Sequence, residues 1–128
     1  MKLLMALVAG SIAAVAAVTV SAPTTAQSTA AAPPAFAACR ACHTVAKGGK
    51  NGIGPNLYGV VGRAAAATPG FNYSPAMKAS KLRWDEKTLN DYLAAPQKKV
   101  PGTRMPIATP DAAKRATIIA YLKAEGSK

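Results

Sequence analysis

Hydrophobic and polar positions divide the chain into three regimes. Leu3 to Val20 is almost wholly apolar. From Thr44 to Ala67 no period is sustained, and Gly48, Gly49, Gly52, Gly54, Gly59 and Gly62 mark the stretch as loop. Further on, apolar residues return at helical spacing. After Asp85, a cap residue, Leu89, Tyr92 and Leu93 fall at i, i+3 and i+4 until Pro96 ends the run. After Asp111, a second cap, Ile118, Tyr121 and Leu122 form the same stripe, closed by Gly126. Ser74-Pro75 pairs an N-cap with a first-turn proline, and Pro34 opens a short helix running to about His43. Thr68-Pro69-Gly70 is a turn, and Gln97 to Pro110 reads as irregular. No run alternates cleanly and no repeat is present. The pattern predicts an all-α domain of short helices and long loops. Long ordered loops in a compact domain usually wrap something.

The apolar start is read apart from the fold. Lys2, the apolar run and the small polar stretch Ser21–Ala32 follow the order of a secretory signal. Thr24 and Ala26 place the cut before Gln27; a cut after Ala22 is disfavoured by Pro23. The alternative is an uncleaved anchor, because the run approaches the length of a bilayer span. Either way the rest of the chain faces the far side of the membrane. The expected organisation is a signal over 1–26, a linker over 27–34 and one domain over 35–128.

Composition then narrows the class. A chain of 128 residues has room for one domain, and half of it is hydrophobic, which excludes disorder and a multi-domain enzyme. Two cysteines exclude a disulfide-stapled miniprotein. Lys plus Arg number 16 against 5 acidic residues, a formal charge of +11. Beyond residue 26 only 22 apolar residues are larger than alanine, Cys excluded. That is a thin core, so a metal, a disulfide or a large cofactor is expected to help fill it.

Cys39-Arg40-Ala41-Cys42-His43 supplies the candidate. C-x-x-C-H is the attachment pattern of c-type haem. Residues three and four apart share a helix face, so Cys39 lies beside both Cys42 and His43. Two thiols on one face suit thioether bonds to two vinyl groups on one porphyrin edge, and the adjacent imidazole then reaches the iron. Three other readings compete. A thiol-redox motif wants a βαβ pattern, which is missing. Half a zinc site wants a fourth ligand, yet His43 is the sole histidine and no other Cys exists. An incidental short disulfide explains neither His43 nor the cofactor-poor core.

The second axial ligand is approached by elimination. Beyond residue 26 the methionines are Met77 and Met105. Met77 sits in a helical stretch, where Met commonly fills core gaps. Met105 sits in Val100-Pro101-Gly102-Thr103-Arg104-Met105-Pro106, a proline-stiffened arm suited to presenting a thioether. Met105 is therefore favoured, with Lys98, Lys99 or an open site as alternatives.

Here the sequence resembles a known family, the small class I cytochromes c of mitochondrial and related bacterial type. The resemblance spans about Phe36 to Leu122. It rests on Cys39–Val45, Gly54-Pro55-Asn56-Leu57, Pro69–Ser74, Trp84, Tyr92-Leu93, Pro101–Met105 and Ile119–Leu122, in that order. It implies one haem c carried by Cys39 and Cys42, with His43 and Met105 as axial ligands. It also implies that the Pro55 carbonyl accepts the other imidazole N–H, and that Tyr92 approaches the Met105 sulfur. Tyr73, Trp84 and Arg63 would face the haem propionates. Pro33-Pro34 shortens the first helix, Pro106 directly follows the ligand, and Ile107 stands where many members carry an aromatic.

An iron with both axial positions filled exchanges one electron and breaks no bond, so the expected function is a carrier rather than an enzyme. Lys47, Lys50, Lys98, Lys99 and Arg104 lie near the motif loops and are expected to ring the haem edge. They would steer a periplasmic monomer onto acidic patches of partners such as an oxidase or a quinol–cytochrome c reductase. Nucleic acid is excluded as a partner, and a membrane enters only through a retained anchor. Two other classes remain at this stage: a haem sensor or weak peroxidase with a labile sixth ligand, and a thiol–disulfide module.

Overall fold

The computed structural model describes residues 31–128; the expected signal over 1–26 and the first half of the expected linker, 27–30, lie outside the described residues. Four α-helices follow two single 3₁₀ turns: α1 (Pro75–Ala79), α2 (Glu86–Ala94), α3 (Pro96–Lys99) and α4 (Ala112–Glu125). Among the described residues no β-strand forms; one isolated antiparallel bridge joins Ala64 to Arg83. No helix there is long and apolar enough to cross a membrane. The all-α architecture with long loops is the one the sequence predicts.

The caps fall where side-chain chemistry requires. Ser74 Oγ accepts from the Met77 N–H, Asp85 from Thr88, and Asp111 from Lys114. Pro75 occupies the first turn of α1. α4 ends into Gly126, whose N–H returns to the Leu122 carbonyl.

Two expectations need correction. The predicted helix from Pro34 to about His43 is instead two 3₁₀ turns, Pro34–Phe36 and Cys39–Ala41. Pro33 and Pro34 bring no N–H groups, and the chain closes tight i to i+3 bonds from Phe36 to Pro33 and from Ala37 to Pro34. The stretch after Pro96 is not wholly irregular either. Pro96 ends α2 and also starts α3, because its fixed φ suits a first helical turn.

A single cluster forms the core. Phe36, only 1% exposed, packs against Tyr121 of α4 with ring centroids 4.9 Å apart and ring planes tilted by 57°. The short N-terminal turn therefore still docks on the last helix. Ile118, Ile119 and Leu122 of α4 pack with Leu89 and Tyr92 of α2, and Trp84 lies 5.0 Å from Tyr92, centroid to centroid. The long 44–67 loop is fastened by side chains. Buried Asn56, 8% exposed, donates to Thr44 Oγ1 and the Ala46 carbonyl and accepts from the Tyr58 N–H. These bonds return the loop beneath the C-x-x-C-H turn.

Candidate functional site

Cys39, Cys42 and His43 reach one cavity of about 410 Å³, bounded by all the main loops. That volume lies within the roughly 300–1,000 Å³ of cofactor sites. The 3₁₀ turn keeps the two thiols on one face, because residues three apart eclipse in that geometry. A further bond from the His43 N–H to the Cys39 carbonyl, 3.0 Å, carries the chain on to the imidazole.

His43 is oriented from behind. Its Nδ1 lies 2.7 Å from the Pro55 carbonyl oxygen. A carbonyl only accepts, so Nδ1 carries the proton and Nε2 keeps its lone pair. Burial lowers the His43 pKa, with the Pro55 bond opposing, so the neutral ligand form is favoured. Burial likewise raises the Cys39 thiol, as expected of a half-buried cysteine on an apolar wall.

On the other side, Met105 is half-buried and lines the same cavity. Met77, on α1, lines it too but belongs to the buried core cluster. Neither Lys98 nor Lys99 lines it; Lys98 is exposed, and Lys99 pairs with Asp91 at 3.3 Å. The lysine alternatives for a sixth ligand therefore lose their geometric basis.

The Tyr92 hydroxyl shares a 2.6 Å hydrogen bond with Thr103 Oγ1, which also accepts from the Met105 N–H at 3.4 Å. Burial raises the Tyr92 pKa, so the phenol stays protonated across the neutral range. Thr103, 6% exposed, and Asn56 are the site-supporting residues that sequence reasoning missed. Both look like ordinary loop polars until distant segments converge on them.

Arg63, Tyr73 and Trp84 all line the cavity. Bonds from the Trp84 N–H to the Arg63 carbonyl and from the Gly62 N–H to the Trp84 carbonyl bring the first and last of these segments together. The Arg63 guanidinium donates to the carbonyls of Tyr58 and Asn56, at 2.9 and 3.2 Å. Its Nε is buried with no partner among the described residues. The Tyr73 hydroxyl accepts the Thr68 N–H at 3.1 Å, so its own proton remains free to be donated. An orphaned cationic donor beside a phenol at the wall of an apolar cavity fits a carboxylate-bearing group. With two thiols and an imidazole opposite, the donor set fits a haem. Among the described residues, no cluster of three or more His, Cys, Asp or Glu side chains could hold a metal ion, so the zinc reading gains nothing.

The cavity mouth combines apolar and basic character. Ile53 is 82% and Ile107 41% exposed, and both line the cavity. Of the five cations expected around it, only Arg104 lines it. Lys99 is held by Asp91, and Lys47 sits over the Tyr58 ring at 5.9 Å. The expected ring is thus thinner than the sequence suggested. The charge is nonetheless lopsided. All five acidic residues lie on α2, on α4 or at their caps, whereas residues 31–84 carry seven Lys or Arg and no acid.

Comparison with known proteins shows the family of the chain. No protein-family model matches the chain. Cytochrome c2 of Rhodoblastus acidophilus is 53% identical over 97 residues, covering 73% of this chain and 91% of that protein. Cytochrome c2 iso-2 of Magnetospirillum fulvum is 50% identical over 93 residues, covering 72% and 96%. The solved structure of cytochrome cH from Methylobacterium extorquens superposes with a TM-score of 0.66 at 49% identity, covering 70% of this chain and 91% of that one. The chain belongs to the class I c-type cytochromes, electron carriers with one covalently attached haem c.

Proposed function

We propose that the chain is a periplasmic one-electron shuttle between respiratory or related redox complexes, with His43 and Met105 as its axial ligands and residues 1–26 as its export signal. The observation that carries this reading is the hydrogen bond from His43 Nδ1 to Pro55, which leaves Nε2 as the free ring nitrogen on a cavity that Met105 also lines.

When bound, the haem supplies one-electron exchange between Fe(II) and Fe(III), at a potential raised by Met/His ligation and burial. The chain's residues do the rest. Cys39 and Cys42 attach it. Pro55 fixes the His43 tautomer and ring plane. The Tyr92–Thr103 pair steadies the backbone at Met105. Arg63 and Tyr73 offer donors to its carboxylates. A ligand set tied this way changes little between oxidation states, which keeps the barrier to transfer low. Ile53 and Ile107 leave an apolar rim at the mouth, and the basic excess supplies a long-range field toward acidic partners such as an oxidase or a quinol–cytochrome c reductase.

The test is intact mass with visible absorption on protein taken from the periplasm. Expected are a chain beginning at Gln27, the added mass of one haem, and the weak red sulfur-to-iron charge-transfer band of a Met-ligated ferric iron. A coloured protein lacking that band, or one gaining it only in a Met77-dependent manner, overturns the ligand assignment. A chain that retains residues 1–26 overturns the cleaved signal.

A further inference from the structure

The turn that follows α4 folds back on the loop that carries Arg63. Past the helix, the Ser127 and Lys128 N–H groups donate to the Ala124 and Glu125 carbonyls at 3.2 and 3.4 Å. Lys128 Nζ closes on Glu125 Oε1 at 2.5 Å, and that carboxylate side chain is only 12% exposed. Gly126 meets Gly59 backbone to backbone: a Cβ at 126 would stand 3.0 Å from both the Cα and the N of Gly59. Beside this contact the Tyr58 hydroxyl donates to the Lys128 carbonyl at 2.7 Å, across 70 positions of sequence.

Tyr58 is shared between that turn and the cavity wall. Its ring lies 5.9 Å from Lys47 Nζ, and its carbonyl accepts from Arg63 Nη1 at 2.9 Å. Two carbonyls thus grip the Arg63 guanidinium, and each sits on a residue tied elsewhere by its side chain. Asn56 is tied to Thr44 and Ala46 within its own loop, whereas Tyr58 is tied to Lys128. A guanidinium is planar and rigid, so the place of these two carbonyls fixes the direction of the buried Nε.

We infer that Tyr58 is a positioning residue for Arg63: its hydroxyl, bound to the turn after α4, fixes the backbone carbonyl that holds the guanidinium at the cavity wall. That Arg63 meets a haem carboxylate rests on the function proposed above; that Tyr58 places Arg63 does not.

The experiment uses the reduced, haem-loaded protein. Its variants are Tyr58→Phe, a chain lacking residues 127 and 128, Lys47→Gln, Arg63→Met, and Tyr58→Phe combined with Arg63→Met. Two readouts are taken: solvent exchange of the Arg63 Nε–H by nitrogen-resolved NMR, and the midpoint potential. Loss of the hydroxyl bond is expected to speed Nε–H exchange by about two- to tenfold, in Tyr58→Phe and in the shortened chain alike. Tyr58→Phe should also lower the midpoint potential in the direction of Arg63→Met, by less. With Arg63 already replaced, Tyr58→Phe should add nothing, because residues acting through one another are not additive. Lys47→Gln leaves the hydroxyl bond in place and should stay close to the parent. Parental exchange in Tyr58→Phe or in the shortened chain overturns the inference. So does a Tyr58→Phe potential shift that persists in full beside Arg63→Met, or a Lys47→Gln variant that reproduces the Tyr58→Phe change. An Arg63→Met protein with the parental potential refutes the carboxylate contact instead, and Nε–H exchange alone then decides whether Tyr58 places Arg63.

Discussion

Gly54 and the His43 imidazole occupy one another's space: a Cβ at Gly54 would stand 2.6 Å from Nδ1 and 2.8 Å from Nε2 of the ring. Pro55, the next residue, accepts the Nδ1 proton, so the Gly-Pro pair packs and orients the imidazole together. Gly54→Ala is expected to push the ring off the Pro55 carbonyl. Overpacking of this kind costs about 1–3 kcal/mol, and loss of the bond adds to it. Thermal unfolding of the haem-loaded variant and its low-spin spectrum check this. An unchanged melting temperature and spectrum would mean that the ring has room to move.

Arg63 is expected to matter more in the loaded protein than in the apo chain. It ties the Tyr58 and Asn56 carbonyls. Only a carboxylate in the cavity gives its buried Nε a partner. Arg63→Met should therefore destabilise the loaded protein by about 1–3 kcal/mol, measured by denaturant unfolding, and should lower the reduction potential by removing a cation beside the cofactor. Equal losses in the apo and loaded states would show that Nε has no partner in either.

The elements legible in sequence were those whose signals are local. Ser74, Asp85 and Asp111 each precede a helix and each caps it, because a cap is decided within three residues. C-x-x-C-H is equally local. The features that escaped depend on convergence. Asn56 becomes a buried hub only because Thr44, Ala46 and Asn51 all fold back to it. Thr103 gains its role from Tyr92, eleven positions earlier on another element. Lys99 is expected from sequence at the haem edge, yet α3 turns it back onto Asp91, which also binds Lys87 at 2.9 Å. No periodicity announces such returns.

The two aspartate caps predict an acid limb of stability. Hydrogen bonds from Thr88 and Lys114 hold Asp85 and Asp111 below the usual carboxylate pKa. For a carboxylate with a depressed folded pKa, the unfolded chain binds more protons as pH falls through the window. The stabilisation is therefore whole above the unfolded value and is lost on descending through the folded one. The melting temperatures of Asp85→Ala and Asp111→Ala should lie below the parent's at neutral pH and converge on it toward pH 2. A gap that stays constant across that range would show that the caps act through packing rather than charge.

Docking divides into a charged and an apolar contribution, and salt separates them. Lys98 is exposed, forms no ion pair among the described residues, and adjoins Gln97, which donates to the Thr103 carbonyl of the Met105 loop. Lys98→Glu is expected to slow electron transfer to an acidic oxidase or reductase by about two- to tenfold at low ionic strength. The difference should fade once the Debye length falls to about 8 Å, near physiological salt. Ile53 presents 82% of its surface at the mouth and carries no charge. Ile53→Ser removes apolar contact without altering the field, so its slowing should persist at every salt concentration. Equal rates for Lys98→Glu and the parent at low salt would remove the steering role, and a salt-dependent Ile53→Ser effect would remove the apolar one.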